Sequence, residues 1–111
     1  MENKMVTTGL DLPGYEIVES LGKVQGLTVR TRNMFSDIGA GFRSIVGGKV
    51  GAYVKLCEDA REEAFIELEK QVRALGADAV IGFRYGTSSI GQGMTEFLAY
   101  GTAVRVKKIE E

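Results

Sequence analysis

The sequence predicts an α+β domain in which two helices pack on one face of a small β-sheet. Three features of the chain favour this fold. A long extended stretch comes first, two segments with apolar residues at helical spacing follow, and two alternating stretches joined by a polar loop come last. The 111 residues show no linker and no shift in composition, so residues 1–111 are predicted to form a single domain.

The extended stretch is predicted from Tyr15 to Thr31, and its apolar residues are Ile17, Val18, Leu21, Val24, Leu27 and Val29. Gly22 and Gly26 interrupt it, and they indicate a bulge or bend in a long strand pair. Residues 11–14 have the composition of a turn, and residues 4–8 before them are predicted to form a short strand.

The first helix is predicted to begin at Asn33, a favourable N-cap residue, and to end at Gly47 and Gly48. Its apolar side consists of Met34, Phe35, Ile38, Phe42, Ile45 and Val46. The glycine-rich residues 47–51 lack the pattern of a phosphate-binding loop, so we interpret them as a turn between the two helices.

The second helix, from Tyr53 to Leu75, has the clearest pattern in the chain. Acidic residues fill its N-terminal half and basic residues its C-terminal end, as the helix dipole favours, and Gly76 ends it. One apolar stripe runs along it, made of Tyr53, Leu56, Cys57, Ala60, Ala64, Leu68, Val72 and Leu75.

A hairpin is predicted to follow, because apolar side chains alternate from Ala79 to Tyr85 and again from Glu96 to Val106. A polar loop at 87–93 joins the two strands. The second strand places Phe97, Ala99, Gly101 and Ala103 on one face. Because three of these side chains are small, we expect a helix to lie close to the sheet there.

Composition excludes several classes of function. The chain has 14 basic and 15 acidic side chains, whereas a nucleic-acid-binding domain usually has a basic excess or stripe. No apolar stretch approaches the roughly 20 residues that span a bilayer, and the first residues do not resemble a signal peptide. We therefore expect a cytoplasmic protein that binds neither nucleic acid nor membranes.

No catalytic constellation is recognisable. The chain has no histidine, which is the usual general base and a common metal ligand, and a single cysteine, Cys57. Cys57 lies within the apolar stripe, so we expect a small buried side chain rather than a nucleophile. The sequence thus predicts no enzyme, no metal ligands and no cofactor. An enzyme with a carboxylate or tyrosine site between subunits stays an alternative, with Tyr53, Tyr85, Tyr100, Arg84 and Glu96 as its candidates.

Signs of self-association are present as well. Ile66 interrupts the polar face of the second helix, and the edges of the long strand and of the short N-terminal strand could pair with a neighbour. These features favour a homo-oligomer. We expect Arg84 to pair with Glu96 across the hairpin.

Three blocks of the sequence resemble the YbjQ-like family. They are Met34–Gly51 (MFSDIGAGFRSIVGGKVG), Leu75–Gly82 (LGADAVIG) and Met94–Val104 (MTEFLAYGTAV). The resemblance implies an α+β subunit of a ring-shaped, propeller-like homo-oligomer, typically a pentamer. It also implies that no enzymatic activity is established, and it carries a heavy-metal-binding label.

The function predicted from residues and resemblance together is a non-enzymatic, homo-oligomeric binding or scaffold module, with itself as partner. Its oligomer or ligand contacts are predicted at Asp37, Arg43, Ile66 and Arg84. The alternative is heavy-metal binding, in which a ring would gather several copies of Cys57 or of a carboxylate on its axis. Heavy metals prefer thiolate and imidazole, commonly two to four ligands per site.

Overall fold

The computed structural model describes residues 5–31, 33–34 and 48–110, with side chains from Val50 onward in the last range. Its elements are strand β1 (Tyr15–Thr31), helix α1 (Gly48–Leu75), strand β2 (Ala79–Ser89) and strand β3 (Met94–Lys108). The strands form one antiparallel sheet in the order β1-β3-β2. The predicted α+β class is confirmed.

Strand β1 has the predicted bounds. Its pairing with β3 shifts register between Ile17 and Glu19 and again between Ser20 and Gly22, where Gly22 adopts a φ of 98°. A left-handed φ of this size suits glycine, so Gly22 forms the predicted bulge. Gly26 has a different role, described below.

The β2–β3 hairpin has a tighter turn than the predicted loop at 87–93, because β2 continues to Ser89 and β3 begins at Met94. The Ile90 amide donates to the Met94 carbonyl at 3.0 Å, and the Met94 amide donates to Gly91 at 3.0 Å. Serine and threonine at 87–89 looked like loop residues, but the long partner strand β3 keeps them in the ladder.

Helix α1 ends where predicted. The Gly76 amide donates to the Arg73 carbonyl at 3.0 Å and the Ala77 amide to Val72 at 3.1 Å, the two bonds of a Schellman motif, with Gly76 at a φ of 66°. Its start differs, because the helix begins at Gly48 rather than Tyr53. The predicted turn at 47–51 is therefore wrong from Gly48 onward, since a glycine costs a helix only about 1 kcal/mol.

The predicted first helix lies almost wholly outside the described residues. Only Asn33 and Met34 are described, and both are helical. Asp37 and Arg43 also lie outside the described residues. The second of the two predicted helices is thus confirmed, and the two-helix layer stays a prediction.

The main core lies between α1 and the sheet. Four helix residues at a spacing of four are buried, with exposed fractions of 0–3%: Ala60, Ala64, Leu68 and Val72. On the sheet, Phe97, Ala99, Gly101 and Ala103 are all buried, as predicted for the face that receives a helix. Leu68, Val24 and Val80 are the large side chains at the centre of this core.

Gly26 is the point of closest approach between β1 and α1. A β-carbon placed on Gly26 would overlap the Ala64 carbonyl oxygen and the Leu68 backbone nitrogen, and it would lie 3.0 Å from the Ala64 carbonyl carbon. The obstacle is helix backbone, which cannot move aside as a flexible side chain can. Only glycine lets the two backbones meet in this way.

The N-terminal segment, residues 5–14, runs along the outer edge of β2 and then under the sheet. The Thr7 amide donates to Val80 at 3.0 Å, and Thr7 and Gly9 accept from Phe83 and Gly82 at 2.9 and 2.8 Å. Instead of the predicted short strand at 4–8, the described residues form one parallel bridge, Val6 with Val80. Beyond it, Leu12 builds a second, smaller cluster with Ala79 and Val104.

Replacing Gly26 by alanine should destabilise the fold by about 4 kcal/mol or more, the range of severe backbone clashes. Gly51→Ala is the matched control, because Gly51 lies in α1 with no atom within 4 Å of a new β-carbon. It should stabilise the protein by up to about 1 kcal/mol. Urea unfolding of both variants measures the difference, and similar stabilities would contradict the close contact.

Candidate functional site

A groove of about 600 Å³ lies between α1 and the outer edge of β1. β1 is an edge strand of the described sheet, so no described strand covers this side of the groove. Its walls come from four consecutive β1 residues and from one side of the helix. They are Gln25, Gly26, Leu27 and Thr28, and Glu63, Glu67, Lys70, Gln71 and Ala74.

A buried arginine, Arg30, contacts two of the residues that line the groove, Thr28 and Glu63. The Arg30 Nη1 atom donates to Glu63 at 2.9 Å and to the Thr28 hydroxyl at 3.1 Å, and Thr28 also contacts Glu63 at 3.2 Å. The Arg30 side chain is 10% exposed and that of Glu63 is 56% exposed. The hydrogen bond from Arg30 holds the pKa of Glu63 below its ordinary value, against the opposing effect of burial.

In the middle of the groove, the edge of β1 has no strand partner among the described residues. The Gln25 backbone amide points away from β3 and donates to the Gln71 side-chain oxygen at 2.9 Å. Lys70 and Glu67, on the same side of α1, form an exposed pair at 2.9 Å. Exposed pairs of this kind contribute little stability, so this wall of the groove is free to rearrange.

An aromatic cluster lies at the opposite edge of the sheet. Phe83 makes edge-to-face contacts with Phe65 and Tyr85, with ring centroids 5.6 and 4.9 Å apart, and the Arg61 guanidinium lies 5.4 Å from the Tyr85 ring. Burial and the nearby Glu62 carboxylate raise the pKa of Tyr85. The phenol therefore stays protonated at neutral pH and is a poor general base.

Arg84 and Glu96 do not form the predicted cross-strand pair. The register places Arg84 opposite Tyr100, and Glu96 opposite Ser88. The Arg84 guanidinium donates instead to the backbone carbonyls of Thr8 and Phe83, each at 2.8 Å. Arg84 thus holds the N-terminal segment against β2. Sequence spacing alone does not predict this contact, because Thr8 and Arg84 are 76 residues apart in the chain.

Cys57 is half-buried rather than buried as predicted. It lines a shallow depression of about 330 Å³ with Val50, Tyr53, Val54, Glu58 and Arg61. The apolar stripe predicted the correct side of the helix. However, burial begins at Ala60, whereas Val50 and Val54 are 66% and 51% exposed. Ile66, on the outer side of α1, is 41% exposed.

The family model described as "Putative heavy-metal-binding" matches residues 4–107. The chain belongs to this YbjQ-like family. A UPF0145 protein of Chromobacterium violaceum is 46% identical over 106 residues, which are 96% of this chain and 91% of that one. A UPF0145 protein of Methanococcus vannielii is 48% identical over 105 residues, covering 94% of this chain and 100% of that one. Neither name states an activity.

A crystal structure from Pediococcus pentosaceus, of a protein of unknown function in the DUF74 family, has a similar fold. Its TM-score is 0.56 at 17% sequence identity, and the match covers 92% of this chain and 96% of that one. Such a likeness shows the fold alone. It agrees with the α+β architecture of this YbjQ-like chain.

The metal-binding description of the YbjQ-like family has no counterpart in the described part of this chain. Residues 5–31, 33–34 and 48–110 contain no group of three or more histidine, cysteine, aspartate or glutamate residues able to hold a metal ion. The same residues contain no helix long and apolar enough to cross a membrane. Any metal site formed by the described residues would need ligands from several copies.

Glu63→Gln should lower the free energy of unfolding by about 1 kcal/mol at pH 7, because Arg30 loses a charged partner that is itself half-exposed. Glu67→Gln is the matched control, since it removes an exposed pair only, and should change stability by less than about 0.5 kcal/mol. Urea unfolding at pH 7 gives both values.

The contribution of Glu63 also depends on pH. Its folded pKa is lowered, so this stability is fully present above the ordinary value of 4.5 and is lost as the pH falls through the lower folded pKa. The gap between wild type and Glu63→Gln should therefore narrow in acid. A gap that is unchanged at pH 3 would contradict the ion pair.

Proposed function

We propose that this YbjQ-like chain works as a non-enzymatic, homo-oligomeric binding or scaffold module. The observation that carries the proposal is the apolar surface on the sheet face remote from α1. Leu27 and Tyr100 are 47% and 37% exposed there, beside the half-buried Leu98 and Val29. These four side chains are neighbours in the register, because Leu27 lies opposite Leu98 and Gln25 opposite Tyr100.

No packing cluster of the described residues includes this apolar surface at the end of the sheet that carries Leu27 and Tyr100. At the other end, the same face is covered by Leu12, which packs on Ala79 and Val104. A small protein rarely leaves a continuous apolar patch in water unless a partner binds there. Val50 and Val54 on α1 are a separate exposed apolar pair, at 66% and 51%. Another copy of the same chain is the simplest partner that covers them.

The number of subunits in the proposal comes from the family resemblance, which favours a pentameric ring. A non-enzymatic role is supported by the chemistry of the described residues, since Tyr85 is held protonated and Arg84 is engaged by backbone carbonyls. The balanced charge supports a module that binds no nucleic acid. The half-exposed free thiol of Cys57 suits the reducing cytoplasm.

Native mass spectrometry of protein purified without added metal or chelator tests this proposal. We expect one closed oligomer, a pentamer, that persists at low micromolar concentration and carries no additional mass. Size-exclusion chromatography with light scattering gives the same mass in solution. A monomer at these concentrations would refute the proposal.

Heavy-metal binding is the second candidate, and the exposure of Cys57 is the observation that favours it. The Cys57 side chain is accessible in the depression beside Tyr53 and Glu58, and a ring would repeat it once per subunit. Two to four such thiolates are a soft-metal site, whereas one is not. In this proposal the metal would bind only to the assembled protein.

Cys57→Ser should abolish stoichiometric uptake of a soft cation such as Cd²⁺ or Cu⁺ if that candidate is correct, and the oligomer should persist. Isothermal titration calorimetry and metal analysis of the gel-filtered protein measure the uptake. Glu58→Gln serves as the control beside the thiol. Uptake that survives in the serine variant, or that the wild type lacks, would exclude a Cys57 site.

A further inference from the structure

Each of the two edges of the sheet has a stretch whose backbone pairs with no strand among residues 5–31, 33–34 and 48–110. On β1, the Gln25 amide points outward to Gln71. Because successive residues of a strand direct their backbone groups to opposite sides, Leu27 and Val29 also direct theirs outward. These three residues present a row of donors and acceptors beside the groove. Only the first amide of the row has a described partner, the side chain of Gln71.

The second free stretch is on β2. Among the described residues, the backbone-to-backbone hydrogen bonds from the N-terminal segment to β2 lie between Val80 and Phe83, and the Arg84 side chain adds a bond to the Thr8 carbonyl. In an antiparallel pair, successive residues direct their backbone groups alternately toward and away from the partner strand. Because the Ile90 amide bonds to Met94, the even-numbered residues of β2 from 84 onward direct theirs toward β3. Tyr85, Thr87 and Ser89 therefore point their backbone groups outward, and no hydrogen bond from a described backbone group reaches them.

We infer that the β1 edge of one copy pairs with the β2 edge of the next, so that the sheet continues from subunit to subunit. This inference rests on the proposed homo-oligomer and names its interface. Strands β1 and β2 both run antiparallel to β3, and hence parallel to each other. A rotation that keeps α1 on the same side of the sheet thus brings the two edges together as a parallel pair.

The outward-facing stretches of β1 and β2 have the same length and lie at the same height along the strands. Leu27, Leu98 and Gly86 form one row across the sheet, and Gln25, Tyr100 and Arg84 form another. In a parallel pair, each outward residue bonds to the two outward residues that flank the facing position. Gln25, Leu27 and Val29 can therefore interleave with Tyr85, Thr87 and Ser89 without a slip along the strands.

The helices leave room for this arrangement. Strands lie about 4.8 Å apart, so three strands place consecutive helices about 14 Å apart, more than the ~10 Å diameter of a helix. Thr87 and Ser89 lie on the same side of the sheet as Tyr85, which contacts Arg61 of α1. Their hydroxyl groups would enter the groove opposite Glu63, Glu67 and Gln71, which can accept hydrogen bonds.

A second copy fits this surface because the pairing is head to tail. Each chain carries both halves of the interface, and neither half can reach the other within one chain, since β3 separates them. Repetition of such a heterologous contact produces a closed ring when the rotation closes.

Proline variants test the pairing. Val29→Pro and Thr87→Pro each remove an amide that points outward, so the sheet within the subunit keeps its own hydrogen bonds. We expect each variant to fold, by circular dichroism and thermal unfolding, and to be monomeric by native mass spectrometry. An equimolar mixture should form a 1:1 heterodimer, because each variant keeps one intact edge. Val18→Ser, an exposed apolar residue elsewhere on β1, should keep the wild-type assembly.

Disulfide cross-linking provides a test that does not depend on proline. In a Cys57→Ser background, a Leu27→Cys chain mixed with a Gly86→Cys chain should form a reducible heterodimer on oxidation. Gly86 accepts a β-carbon, whose nearest atom outside the adjoining residues would be Tyr100 Cε1 at 3.8 Å. Neither chain should cross-link alone.

The outcomes separate the interface from the oligomer. If the wild type is an oligomer but both proline variants still assemble and the mixture does not cross-link, the edge pairing is wrong and the homo-oligomer stands. Cross-linking by Leu27→Cys alone would indicate a symmetric β1–β1 contact and overturn the head-to-tail pairing. A monomeric wild type would overturn the interface together with the proposed function.

Discussion

The contact between the backbones of α1 and β1 at Gly26 determines where every other part of the molecule lies. Because the Gly26 α-carbon meets the helix backbone at Ala64 and Leu68, α1 lies over the edge strand rather than over the centre of the sheet. The small residues of β3 extend this close packing. As a consequence, one side of the helix overhangs the free edge of β1, and the groove is the space beneath it.

The Arg30–Glu63 pair follows from that placement. Arg30 lies four residues after Gly26 on the side that faces α1, so its charge is taken out of water when the helix docks. Burial of an arginine is unfavourable unless a carboxylate and further acceptors compensate it, and Glu63 and Thr28 do so at 2.9 and 3.1 Å. The pair fixes the rotation of α1 more than it adds to stability, since Glu63 stays half-exposed.

Local chemistry allowed the strands, the end of α1 and the α+β class to be predicted, because alternation and glycine at Gly22 and Gly76 act within a few residues. The predicted start of α1 was wrong because helix propensity counts Gly48 and Gly51 as helix breakers. The free-energy cost of one glycine is small enough for a long helix to include both. The groove was missed because it depends on Gly26, whose partner is 38 residues away. The sequence offered one indication of this contact. Gly26 lies two residues after Val24, so both are on the same face of the strand, and a glycine on that face allows another backbone to come close.

The way each edge of the sheet is protected bears on what the molecule is built to contact. Natural sheets cover or disrupt long free edges because bare ones pair with other chains. On β2, the bulge at Gly82 ends the cover that the N-terminal segment provides, so the protection stops where Tyr85 begins. On β1, a single exposed side chain, Gln71, occupies one amide and can be displaced. In the part of the chain that the structure describes, both edges thus lack a strand partner at the same end of the sheet, next to the exposed Leu27 and Tyr100. Apolar surface and backbone without a described strand partner lie together in this region, which supports the edge-to-edge pairing proposed above.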